Sequence, residues 1–150
     1  MTDTLSHRGP DGEGQWDEGN VGLGHRRLAI IDRRVHGQQP MFSIDDRWVL
    51  TYNGDIYNFL ELRKRLEKNG FKFLTETDTE VVLNSLIFWG EKALSLFNGM
   101  FALALWDRKR KKLLIARDRF GVKPLYYARQ GDWFAFSSEN KAIRSLPSCH

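Results

Sequence analysis

The stretch Trp48-Val49-Leu50-Thr51-Tyr52-Asn53-Gly54-Asp55-Ile56-Tyr57-Asn58 decides the fold class, because a change of period falls inside it. Its first five residues are apolar or β-prone and read as a strand. Asn53-Gly54 reads as the turn that ends this strand. The segment after the turn is not a second strand. Phe59, Leu62 and Leu66 recur at helical spacing, Asn58 and Glu61 have the spacing of a capping box, and Gly70 is a natural helix stop.

Working outward, a second helix is expected from Thr77-Asp78-Thr79-Glu80, again at capping-box spacing, through Val81, Val82, Leu86 and Ile87. Ala93, Leu94 and Phe97 suggest a further short helix closed by Asn98-Gly99. Upstream, Val21 to Asp32 contains the apolar run Leu28-Ala29-Ile30-Ile31, a candidate buried strand. Downstream, 100–106, 113–117, 125–128 and 133–137 are short β-prone runs between polar turns. Strands, then two helices, then a meander predict an α+β domain with mainly antiparallel sheet. The runs 101–106 and 113–117 are apolar at nearly every position, which predicts burial on both faces.

Composition narrows the function classes. The chain has 150 residues, 41% hydrophobic and 13% aromatic, as expected of one ordinary globular domain. No apolar run reaches the roughly 18–20 residues of a membrane span, and the first residues have no signal-peptide pattern. One cysteine, Cys149, excludes an intramolecular disulfide framework. The expected compartment is the cytosol, with no membrane partner. Net charge is only +4, with acidic residues interspersed. The densest basic run, Arg108-Lys109-Arg110-Lys111-Lys112, is flanked by strand-like runs and reads first as a solvated hairpin turn. A nucleic-acid patch is the competing reading, and no nucleic-acid partner is expected.

Three blocks carry candidate chemistry: Gly24-His25-Arg26-Arg27-Leu28-Ala29-Ile30-Ile31-Asp32, Asn53-Gly54-Asp55-Ile56-Tyr57-Asn58 and Thr77-Asp78-Thr79-Glu80-Val81. Free glutamine presents an α-carboxylate that suits a planar bidentate arginine. Its α-ammonium suits a carboxylate. Its amide, once attacked, needs fixed donors for an oxyanion. Arg27, Asp78, Asn53 and Gly54 are residues of these types. Each also has a plainer role: Asn-Gly as a turn, Asp78 as a helix N-cap, Arg27 as a surface charge.

In combination with further blocks, the chain resembles the N-terminal glutaminase domain of glutamine-hydrolysing asparagine synthetases. These are class II amidotransferases of the N-terminal-nucleophile hydrolase group. The resemblance covers nearly the whole chain: His7 to Gly14, Gly24 to Asp32, Asn53 to Asn58, Thr77 to Val81, Gly99 to Asp107, Arg117 to Tyr127 and Ser138 to Ala142. Asp55 departs from the family's glutamate, and Asn140 stands where an aliphatic residue is usual. The fold implied is an αββα sandwich of mainly antiparallel sheets, here lacking its first strand.

The resemblance implies roles. Arg27 holds the glutamine α-carboxylate, and Leu28, Ala29, Ile30 and Ile31 wall the pocket. Asn53 and Gly54 donate to the oxyanion. Asp55 and Asp78 receive the α-ammonium. Arg117, Asp118 and Arg119 are expected to form a buried Arg–Asp network. The family's nucleophile is an N-terminal cysteine whose own α-amine is the base. Cys149 does not fit that role, so the chain as written is expected to bind glutamine without cleaving it. Loss of the first strand is expected to leave a weakly stable fold. No metal or cofactor is expected in this chain, because ATP and magnesium belong to the synthetase domain, whose SGGxDS loop is absent. L-glutamine and a synthetase domain, in cis or in trans, are the expected partners, and a homodimer is allowed. The alternative is a non-catalytic glutamine-binding or docking module.

Overall fold

The computed structural model describes residues 12–27 and 38–146. The expected strand at Leu28–Ile31, the His7–Asp11 block and Cys149 lie outside the described residues. Strands β1 (Gly12–Glu18) and β2 (Val21–Arg27) form an antiparallel hairpin. Strands β3 (Met41–Phe42), β4 (Trp48–Ile56), β5 (Gly99–Asp107) and β6 (Lys112–Arg117) form a four-stranded antiparallel sheet in the order β3-β4-β5-β6. Helices α1 (Phe59–Lys68) and α2 (Asp78–Trp89) connect β4 to β5, with a 3-10 turn over Gly90–Ser95 after α2. Strands β7 (Tyr126–Gln130) and β8 (Trp133–Ser137) make a second hairpin, against which α3 (Asn140–Arg144) packs. The class is α+β with antiparallel sheets, as the sequence predicts.

The two faces of β4 have different partners. Leu50, Tyr52 and Ile56, spaced by even numbers of residues, share a core with Leu62 and Leu66 of α1 and with Val81, Val82 and Leu86 of α2. Period-2 alternation sends Val49 to the other face. There it meets Trp106 and Leu23, with Trp16, Leu113 and Phe136 at the rim. The central sheet therefore carries helices on one face and parts of both hairpins on the other. Asn53 and Asp55 share the parity of Val49.

Several local expectations are met. The end of α1 is a Schellman cap, with Phe71 N–H bonded to Leu66 O at 3.1 Å and Gly70 N–H to Glu67 O at 3.0 Å. Gly70 takes φ +89, which a side chain disfavours. Thr77 caps α2 by accepting from Glu80 N–H. Among the described residues no helix is long and apolar enough to cross a membrane.

Other expectations are corrected. Asn53-Gly54 is not a turn. Strand β4 runs on to Ile56, paired with β5 over its whole length from Trp48↔Asp107 to Ile56↔Gly99. Nine paired residues outweigh the local turn preference of the dipeptide. The Asn58–Glu61 capping box does not form. The Asn58 side chain instead donates to Leu96 O at 3.0 Å and accepts from Asn98 N–H at 3.0 Å, tying the start of α1 to the loop before β5. Burial on both faces holds for β5 from Phe101 to Asp107, but β6 is only half-buried. Among the described residues β6 is the outer strand of its sheet, so one flank lacks a covering neighbour.

The Arg117–Asp118–Arg119 network is also absent in the expected form. Buried Asp118 accepts from the backbone N–H groups of Phe101, Phe120, Val122 and Lys123. Arg117 donates to the carbonyls of Gly121 and Lys123, and Arg119 is exposed. Both working side chains fold the 118–123 loop onto β5 rather than pairing with each other. The basic run is a hairpin turn between β5 and β6, as its flanks predict. Arg108 pairs with Glu18 through two bonds at 2.7 and 3.1 Å and donates to Asp46 O, while Lys112 meets Glu91.

Candidate active site

The site is built along the last five residues of β4. In an antiparallel ladder, residues alternate between bonding their partner strand and facing away from it. Phe101, opposite Gly54, turns its backbone away from β4, because its N–H and C=O bond Asp118. Gly54 is therefore in a pair that does not exchange bonds, as are Tyr52 and Ile56. The N–H groups of Tyr52, Gly54 and Ile56 all point off the flank of β4 that faces away from β5.

The two outer members of that row have partners. Gln39 places its side-chain amide against Tyr52, accepting from the Tyr52 N–H at 2.6 Å and donating to the Tyr52 carbonyl at 2.9 Å. It acts as one more residue of strand along the β4 flank. Ile56 N–H donates to Asp78 Oδ2 at 3.2 Å. Between them stands Gly54, with its N–H on the same flank.

Gly54 is also where the chain is most crowded. An added Cβ would lie 2.5 Å from Met100 O, 2.7 Å from Tyr52 Cε2 and 2.9 Å from Phe101 Cα. Glycine is required here because β5 and the Tyr52 ring occupy the space of a side chain. That ring crosses Gly54 to reach α2, where the Tyr52 hydroxyl donates to Asp78 Oδ2 at 2.6 Å.

Asp78 is the first residue of α2 and only 6% exposed. It is not the N-cap, since Thr77 fills that position. Its carboxylate turns to β4 instead. Burial raises the Asp78 pKa, against the lowering effect of the Tyr52 and Ile56 donors; the nearby Asp55 charge raises it further. Burial and the Asp78 charge likewise push the Tyr52 phenol far up, so the proton stays on tyrosine. A buried carboxylate held by these donors and by the Thr79 N–H, with no cation among them, stands to gain from one. The Tyr52 and Ile56 bonds both fall on Oδ2, so this oxygen is the one turned to β4.

The structure thus brings Asn53, Gly54, Asp55 and Asp78 together around one short segment. Arg27 is the last residue of β2, opposite Gly12. Leu28, Ala29, Ile30 and Ile31 lie outside the described residues. Sequence reading missed Tyr52 and Gln39. A β-prone tyrosine beside Asn53 was visible, but its partner is 26 residues away. Among the described residues no group of three or more His, Cys, Asp or Glu is placed to hold a metal ion.

Comparison with known proteins gives a consistent result. A family model described as "Glutamine amidotransferase domain" matches residues 1–150. Asparagine synthetase [glutamine-hydrolyzing] 3 of Bacillus subtilis is 48% identical over 149 residues, covering 98% of this chain and 24% of that protein. Putative asparagine synthetase [glutamine-hydrolyzing] 2 of Methanocaldococcus jannaschii is 40% identical, covering 97% of this chain and 31% of that protein. The chain spans about a quarter to a third of the length of these curated relatives. Among solved structures, the glutamine phosphoribosylpyrophosphate amidotransferase of B. subtilis, complexed with ADP and GMP, superposes with a TM-score of 0.70 at 26% identity, over 81% of this chain and 28% of that one. A structure titled as the allosteric regulatory enzyme of purine biosynthesis gives 0.71 at 27% identity, with the same coverage.

Proposed function

This chain belongs to the glutamine amidotransferase domain family, and we propose that it is the glutamine-binding, glutaminase part of a cytosolic asparagine-synthetase-like amidotransferase. The parent reaction is hydrolysis of glutamine to glutamate and ammonia, which feeds an ATP-dependent amidation. A synthetase domain, in cis or in trans, is the partner that uses the ammonia. ATP and magnesium act there, and these residues need no cofactor.

The observation that carries the reading is the bonding of the Asp78 carboxylate to both ends of the Tyr52–Ile56 segment. It places a carboxylate in want of a cation beside the strand that carries an amide side chain and an outward N–H. In this reading Asp78 and Asp55 receive the α-ammonium of glutamine. Asn53 Nδ2 and the Gly54 N–H donate to the oxyanion formed when the amide carbon is attacked. Fixed donors of this kind stabilise the developing charge without reorganising, and each is worth about 3 kcal/mol of barrier. Arg27 takes the α-carboxylate as a bidentate cation, and Leu28 to Ile31 wall the pocket. None of these roles falls on the single cysteine, Cys149.

Calorimetric titration with L-glutamine, with ammonia release followed in parallel, tests the proposal. Saturable binding that is lost in Arg27→Ala and in Asp78→Asn is the expected result. Absence of binding by the unsubstituted protein would overturn it. Binding without ammonia would favour the second reading, a glutamine-binding module.

A further inference from the structure

We infer that Tyr52 is a positioning residue for recognition of the substrate's α-ammonium, fixing the Asp78 carboxylate and locking the start of α2 to the oxyanion strand; the inference rests on the proposal that the site binds glutamine. Three observations converge on it. First, the Tyr52 hydroxyl and the Ile56 N–H bind the same oxygen, Oδ2, from the two ends of the segment that holds Asn53, Gly54 and Asp55. Two donors on one oxygen fix the carboxylate against β4. Second, the path of the tyrosine ring is provided for. It lies where a Cβ on residue 54 would be, so the glycine that exposes an outward N–H also makes room for the ring. Third, Tyr52 is itself held. Gln39 bonds both its N–H and its C=O, and the ring is part of the core with α1 and α2. A phenol with no freedom of its own is suited to orienting a carboxylate.

Tyr52 touches neither the amide carbon nor the oxyanion in this arrangement. It acts through Asp78, and its effect should appear only for ligands that use Asp78. Removing the hydroxyl takes away the shorter of the two bonds that hold Oδ2 against β4 and loosens the carboxylate there. A hydrogen bond to a charged group is the stronger kind, which corresponds here to roughly a tenfold change in affinity.

The test compares two ligands on the unsubstituted protein and on Tyr52→Phe. One ligand is L-glutamine. The other is glutaramate, which has hydrogen in place of the α-ammonium and keeps the carboxylate and the amide. The expected result is about tenfold weaker glutamine binding with glutaramate binding changed less than about twofold. Equal weakening of both ligands would overturn the inference, because a merely structural role moves both. No change in either would also overturn it, leaving the glutamine proposal intact. Failure of the unsubstituted protein to bind glutamine would remove the premise, and is told apart because no substitution is needed to see it. If Tyr52→Phe does not fold, Tyr52→Met, apolar, adaptable in shape and also without a hydroxyl, takes the same comparison.

Discussion

Gly54 lies so close to Met100 of the neighbouring strand that a Cβ on it would stand 2.5 Å from the Met100 carbonyl oxygen. The obstacle is backbone and cannot rotate away. Gly54→Ala should therefore cost about 2–3 kcal/mol, the upper part of the range for overpacking. Urea or thermal unfolding measures it directly. The same substitution displaces Tyr52 Cε2, so glutamine affinity should fall further than stability alone explains.

Asp107 and Arg47 form a two-bonded ion pair at 2.7 and 3.0 Å, with the carboxylate buried and also accepting from the N–H groups of Lys109 and Arg110. The Arg47 guanidinium holds the Asp107 pKa at about 2, below its ordinary 3.8. A folded-state pKa below the unfolded value stabilises at higher pH, and the contribution disappears as pH falls from about 4 to about 2. Asp107→Asn should lower stability at pH 7 by about 1–3 kcal/mol. Denaturant curves at pH 7 and near pH 2 should show the gap between the two proteins closing at the acid end.

Asp118 serves four backbone N–H groups across the 118–123 loop and β5. Burial pushes its pKa up, but the donors outweigh it and hold the carboxylate below its usual range. Asp118→Ala leaves those donors without their acceptor and should cost about 2–3 kcal/mol. Limited proteolysis should detect it as new cleavage within 119–123, where Phe120 is already 93% exposed.

Asn58 separates a capping role from a tethering one. A cap would be satisfied by Asp or Ser, which are as good as Asn at that position. The observed bonds need a donor toward Leu96 O as well as an acceptor for Asn98 N–H. Asn58→Asp supplies only the acceptor, so it should be destabilising by about 1 kcal/mol rather than neutral. Equal stability of Asn58→Asp and the unsubstituted protein would return Asn58 to the capping role.

The sequence by itself determined the order of elements from β4 to β8, because hydrophobic period and stop signals are local, whereas β1, the short β3 and α3 were not read from it. Phe59, Leu62 and Leu66 announce α1, Gly70 ends it with a cap that needs positive φ, and Thr77 starts α2. The α+β class and the family likeness come from the same local blocks. The tertiary structure decided where local preference and pairing disagree. Asn53-Gly54 favours a turn, yet β5 pairs with it on one side and makes glycine necessary there for space rather than for bending. Asn58 and Glu61 favour a capping box, yet Asn58 finds partners 38 and 40 residues away. The candidate site divides in the same way. Arg27, Asn53, Gly54, Asp55 and Asp78 could be named from side-chain chemistry. Tyr52 and Gln39 could not, because their roles consist of bonds to groups 26 and 13 residues distant, which only the stacking of α2 and the approach to β3 bring into reach.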